Sequence, residues 1–234
     1  KIFDDVGPDQ EIMQHSRFFS ERLTPQFPLE FVIDTGEQNG ALRPEILHKI
    51  ETLENHLLTY PEIARTTSLT TLIKQVHATM SPEDALTNPI PTDPDLISQY
   101  MFLLEISDAD AASLLVDFDY QSIRLAANVQ DAGSYRTNQI RDEIEPYIRD
   151  LFPNQTVYIS GTSILVADLT DNIVQSLSWS IGLAFLFISI LMGWLFRDLK
   201  LVFISILPNV IPLVIVAGTM GFLGVDLKPS TAVI

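Results

Sequence analysis

The sequence predicts an α+β domain followed by two membrane-spanning helices, and three observations carry that prediction. Two strand–helix–strand patterns precede residue 171. Two stretches without a single charged residue, 172–196 and 201–225, follow it, each 25 residues by position. A helix needs roughly 20 apolar residues to cross about 30 Å of hydrocarbon, so each stretch is long enough. Charge is divided at the same boundary: beyond residue 171 only Arg197, Lys200, Lys228, Asp198 and Asp226 ionise, which leaves 11 basic and 28 acidic side chains before it.

Taken in order, Pro8 and Asp9 start a helix that runs to about Arg22, with Ile12, Phe19 and Leu23 at helical spacing. Residues 29–34 read as a strand and 35–40 as a turn-rich loop. Pro44 opens a second helix whose Ile46, Ile50, Leu53 and Leu57 form one apolar stripe, stopped at Tyr60-Pro61. A short strand is expected near 64–69, then a helix over 69–80. Four prolines (Pro82, Pro89, Pro91, Pro94) make 81–94 a loop. The helix predicted over 95–106 is apolar on most sides, so it must be buried or line something. Residues 114–119 and 122–130 read as strands. A helix capped by Ser134 runs to Leu151 with Pro146 inside it, where a proline removes a backbone hydrogen bond and bends the axis. Residues 156–160 close the sheet. The two strand–helix–strand units give a ferredoxin-like α+β sandwich with inserted helices on one face of a mainly antiparallel sheet. From Ser163 a helix runs without a break signal into the first apolar stretch.

The divisions expected are an extracytoplasmic domain over 1–168, a membrane helix over 169–197, a turn at 198–200, a second membrane helix over 201–225 and the start of a further segment over 226–234. The N-terminus has no apolar signal-peptide core, so a preceding membrane helix is expected. Arg197 and Lys200 put the turn on the cytoplasmic side and the domain on the other, in a bacterium the periplasm or cell exterior. A net charge of −16 over the chain excludes nucleic acid as a partner, since phosphate counterions are displaced by clustered Lys and Arg. The absence of cysteine removes disulfides and thiolate metal sites.

No catalytic, metal or cofactor-binding residue is predicted. His15, His48, His56 and His77 show no metal-ligand spacing, and no nucleophile or phosphate-loop motif is present. Pairs such as Asp117/Asp119 and Glu143/Glu145 read as solvated faces. The candidate intramembrane site is Pro208-Asn209-Val210-Ile211-Pro212: two prolines four apart release carbonyls beside one amide, a hinge or polar site as well as a packing kink. Gly218, Gly221 and Gly224, three apart within an apolar span, permit close helix packing.

Several stretches carry a resemblance. They are PLEFVIDTG (28–36), LLVDFDYQSIRLAANVQD (114–131), GTSILVADLTDNIVQSL (161–177) and FRDLKLVFISILPNVIPLVIVAGTMGFLGVDLKPSTA (196–232). Together they resemble the resistance-nodulation-division (RND) superfamily, in its MMPL-like, hydrophobe/amphiphile exporter branch, which is related to sterol-sensing-domain proteins. The last stretch is the most specific, with its FRDL turn, LPN-x-x-P span and G-x-x-G-x-x-L-x-x-x-T-A exit in order. The resemblance implies a periplasmic porter domain inserted into a six-helix membrane repeat, in the bacterial inner membrane. It implies export of lipidic, hydrophobic or amphiphilic substrates driven by proton influx, with the proton-relay acids on later helices, so the partners are the substrate and further membrane helices of the same protein. Homo-oligomerisation stays open. The same architecture also serves non-transporting sterol or lipid receptors and accessory subunits of protein export.

Overall fold

The computed structural model describes residues 15, 18, 27–107, 109–130, 132–197 and 199–223. The expected first helix therefore lies outside the described residues save for His15 and Phe18, both helical. The turn residue Asp198 and the segment after 223 lie outside them as well. The chain forms two compact units, 1–167 and 168–234.

The first unit is a four-stranded antiparallel sheet built from β1 (Phe27–Asp34), β2 (Ile63–Ser68), β3 (Ser122–Val129) and β4 (Thr156–Ser160). Its order is β2-β3-β1-β4, every neighbouring pair antiparallel. One sheet face is apolar because strand side chains alternate. Leu29, Phe31 and Ile33 of β1 lie opposite Ala127, Leu125 and Ile123 of β3, and all six are buried. On β4, Ile159 and Val157 extend the row beside Phe31 and Ile33. Each fully buried Leu, Ile or Phe contributes about 1.5–3 kcal/mol, so this row is a main source of stability.

Helices cover that face. Between β1 and β2 lies α1 (Pro44–Leu57), and between β3 and β4 lies α6 (Ser134–Leu151). The stripe Ile46, Ile50, Leu53, Leu57 of α1 and the stripe Ile140, Ile144, Ile148 of α6 join one core with the sheet. Four helices lie between β2 and β3: α2 (Leu69–Met80), α3 (Pro82–Ala85), α4 (Pro94–Ser107) and α5 (Ala109–Ser113). Two of them, α3 and α5, correct the expectations, since a single helical turn is too short to show a period in sequence. The strand expected over 114–119 is also corrected. Only Val116 bridges to Ile123, because Asp117 turns the chain by accepting the backbone N–H groups of Gln121 (2.8 Å) and Ser122 (3.0 Å).

Ser134 begins α6 but does not cap it. The cap is Gly133 at φ 81, without a side-chain hydrogen bond, and its carbonyl accepts from the Thr137 amide and hydroxyl. Pro146 stands inside α6 on its exposed side, and the helix runs through it. The carbonyl that Pro146 leaves without a helical donor belongs to Asp142, itself exposed, so water can satisfy it.

Two long helices complete the chain: α7 (Thr162–Phe196) and α8 (Leu199–Phe222). Gly161, at φ 108, makes the turn into α7 directly against β1. A Cβ there would lie 2.3 Å from the Pro28 carbonyl oxygen.

Candidate functional site

With 35 residues, α7 is about 52 Å long at 1.5 Å per residue. None of its most apolar stretch is buried inside the protein. Trp179, Phe187, Trp194 and Leu195 are all exposed, so the apolar character is not confined to a core-facing stripe. A helix apolar all round needs a non-aqueous surrounding. Three of its hydroxyls need no water: Ser178, Ser180 and Ser189 donate to the carbonyls of Val174 (2.8 Å), Ser176 (2.8 Å) and Phe185 (2.6 Å). By length and composition α7 is the one described helix able to cross a membrane; in α8 the described apolar run is Val202–Val216.

Helix α7 ends at Arg197, whose φ of 51 is left-handed and whose amide donates to the Gly193 carbonyl. Leu199 is already in α8. Val202 is buried, and its Cγ2 would be 3.8 Å from a Cβ at Gly193, so the first turn of α8 meets the last turns of α7.

The predicted intramembrane residues fall on α8. Pro208 and Pro212 both stand inside the helix, which is assigned without interruption from Leu199 to Phe222. Each proline lacks an N–H, so the carbonyls of Ile204 and Pro208 lose their helical donors. Asn209 lies in the helix between them. Gly218 and Gly221 share a face three residues apart, and a Cβ at either would meet nothing within 4 Å. Among the described residues no helix occupies that notch. Gly224 lies outside them.

In the first unit a second apolar surface surrounds α4. Ile97, Tyr100 and Met101 point into the core, whereas Phe102, Leu103 and Ile106 are exposed. Sequence alone left the choice between burial and a lining role open; the structure shows one side of the helix buried and the other exposed. The segment after α5 is tied to the same helix, since the Tyr120 hydroxyl donates to Glu105 Oε1 at 2.5 Å. That bond, then burial, pushes the Tyr120 hydroxyl up to about 12, so it stays a neutral donor. The turn held by Asp117 projects Phe118, 97% exposed, and leaves Leu114 exposed as well. Sequence reasoning took Asp117 for a solvated acid. The cue to its role is an aspartate four residues before a backbone amide it can cap.

Polar groups do enter the helical insertion. His77, fully buried, places Nδ1 at 3.1 Å from the Tyr100 hydroxyl. Its Nε2 is 3.3 Å from Asp84 Oδ2 but without hydrogen-bond alignment, a contact of ion-pair range only. Glu54, 7% exposed, accepts from the Thr71 hydroxyl at 3.1 Å, and burial holds its carboxyl above the usual range. Among the described residues no three His, Asp or Glu side chains converge as metal ligands would. The insertion is hydrogen-bonded structure, and among the described residues the exposed surfaces of α4 and α7 are apolar.

The sequence matches one family, described as MMPL family, over residues 54–228. The match begins in the last turn of α1 and takes in all of α7 and α8. No curated protein matches the chain.

Proposed function

Since the chain belongs to the MMPL family, whose members are membrane transporters of the RND type, we propose that it works in the export of lipidic, hydrophobic or amphiphilic molecules driven by the proton-motive force. The observation that carries this reading is the exposure of large apolar side chains in both units: Trp179, Phe187 and Trp194 on α7, and Phe102, Ile106 and Phe118 around α4. The first group suits lipid. The second suits a cargo that water would otherwise repel.

In the same reading α7 and α8 are consecutive spans, with Arg197 and Lys200 at the cytoplasmic face of a bacterial inner membrane. The sheet order β2-β3-β1-β4, with α1 and α6 as its two crossovers, supports reading the first unit as a ferredoxin-like porter domain on the opposite side. Pro208, Asn209 and Pro212 form a hinge or polar step within the second span. No chemistry is required of the protein: transport needs a path and a coupling, not a nucleophile.

The test is reconstitution of the intact protein into liposomes with a fluorescent lipid analogue and an imposed pH gradient. Lipid movement should follow the direction of the gradient and stop on adding a protonophore. Movement indifferent to the gradient would overturn the proton-driven part of the reading. A complete lack of movement would overturn transport itself and favour a lipid-sensing role.

A further inference from the structure

The insertion between β2 and β3 carries a charge pattern distinct from the rest of its unit. From residue 78 to residue 123 the chain has nine acidic side chains and no lysine, arginine or histidine. The remainder of the unit mixes both signs. Arg124, the first cation after this stretch, donates to the Glu30 carboxylate and to the Leu114 carbonyl, so its charge is answered there. The same stretch holds Phe102, Leu103, Ile106, Leu114 and Phe118, the exposed apolar side chains around α4. Apolar surface and one-signed charge coincide.

The two features meet at the C-terminal end of α4. Its last turn contains Glu105 and no basic residue, so the negative end of the helix dipole is reinforced rather than offset. The Tyr120 hydroxyl, bonded to Glu105 at 2.5 Å, brings the turn 117–120 to this end. That turn is closed by the Tyr120 amide on the Asp117 carbonyl (3.2 Å). It carries Phe118 between two exposed aspartates, Asp117 and Asp119. Among the described residues none of Glu105, Asp117 and Asp119 lies in ion-pair range of a base. Phe102 and Ile106, four apart and both exposed, share a face of α4. Exposed phenylalanine rings with carboxylates at a helix C-terminus are chemistry that receives an ammonium group.

We propose that this end of α4 binds an amphiphile with a cationic, ammonium-type head, the head among Glu105, Asp117 and Asp119 and the apolar chain on Phe102, Ile106 and Phe118. The inference rests on the reading of this surface as one that meets cargo, and it narrows that cargo by charge. An anionic amphiphile would bring like charge to a negative site, and a neutral one would leave the acids unread. A cationic amphiphile gains twice. Opposite charge raises its local concentration, and its chain is removed from water on the apolar side chains.

The test uses three dodecyl probes, each with a diazirine near the chain end, whose heads are trimethylammonium, hydroxyl and phosphate. Each is photolysed with the intact protein in dodecyl maltoside and mapped by peptide mass spectrometry, with labelling of α7 as the reference for uptake into the micelle. The ammonium probe should label residues 102–118 about fivefold more than the hydroxyl probe, and the phosphate probe should label them least. The preference should collapse in about 1 M salt, where the screening length is about 3 Å. Glu105→Gln/Asp119→Asn keeps an acceptor for Tyr120 and should remove most of the preference, whereas Asp119→Glu should retain it. Phe102→Ser should lower labelling by the ammonium and hydroxyl probes alike. The proposal is overturned if those two probes label the region equally, if the phosphate probe labels it best, or if the folded double variant keeps the parent's preference. It is overturned too if a lysine-rich amphipathic peptide displaces the ammonium probe at far lower concentration than dodecyltrimethylammonium does, which would assign the face to a basic protein partner. If the double variant does not fold, the head-group and salt series on the parent decide. Equal labelling by all three heads removes the cationic head and leaves the cargo surface standing; no labelling by any head removes the cargo surface as well.

Discussion

His77 of α2 and Tyr100 of α4 share a 3.1 Å hydrogen bond in the interior, with both residues buried. The bond joins two helices of the insertion between β2 and β3. Tyr100→Phe would keep the ring and leave His77 Nδ1 without a partner, which costs about 1–3 kcal/mol for a buried polar group. Thermal unfolding in detergent, followed by circular dichroism, should show the loss. The same change at exposed Tyr135 should stay within about 0.5 kcal/mol.

Glu54 supplies a pH dependence with a definite sign. Its carboxyl is raised above 4.5 in the folded state, chiefly by burial and against the hydrogen bonds of Ser68 and Thr71. A raised carboxyl favours the protonated form on folding, so its contribution is fully present below pH 4.5 and is lost as pH rises through the folded value. Glu54→Gln should therefore raise the melting temperature at pH 7–8 and give no gain near pH 4. A gain independent of pH would place the effect elsewhere.

At Gly161 the backbone itself sets the limit. A φ of 108 and a Cβ position 2.3 Å from the Pro28 carbonyl oxygen make Gly161→Ala incompatible with the β4–α7 turn. The loss should exceed about 1 kcal/mol. Gly36, also at positive φ but with open space around its Cβ position, should tolerate alanine better, and the ratio of the two melting shifts checks the clash.

Phe118 separates function from stability. At 97% exposed its ring buries almost no surface, so Phe118→Ser should change stability by no more than about 0.5 kcal/mol. Transport of a fluorescent lipid should fall in the same preparation. Unaltered transport would remove Phe118 from the cargo path.

Within α8, Asn209→Leu in the intact protein should lower export several-fold without lowering the amount of folded protein, measured as initial transport rate against monodisperse yield. An unchanged rate would leave Asn209 as helix packing.

How much of this was legible from residue order follows from range. The helices Leu69–Met80 and Ser134–Leu151 and the strand Thr156–Ser160 match the reading of apolar spacing, because period and breakers act within a few residues. The single-turn helix Pro82–Ala85 and the turn at Asp117 were missed for the same reason, since neither lasts long enough to show a period. By itself the sequence determined where an acidic α+β domain gives way to apolar helix, and which motifs mark the family. Only the tertiary structure decided which side of α4 faces water, how β2 and β4 come to be the outer strands, and that Lys49 of α1 reaches Phe152 and Gln155. Those outcomes rest on pairings between residues about a hundred positions apart, and local periodicity records the face a residue occupies, not the neighbour it will meet there.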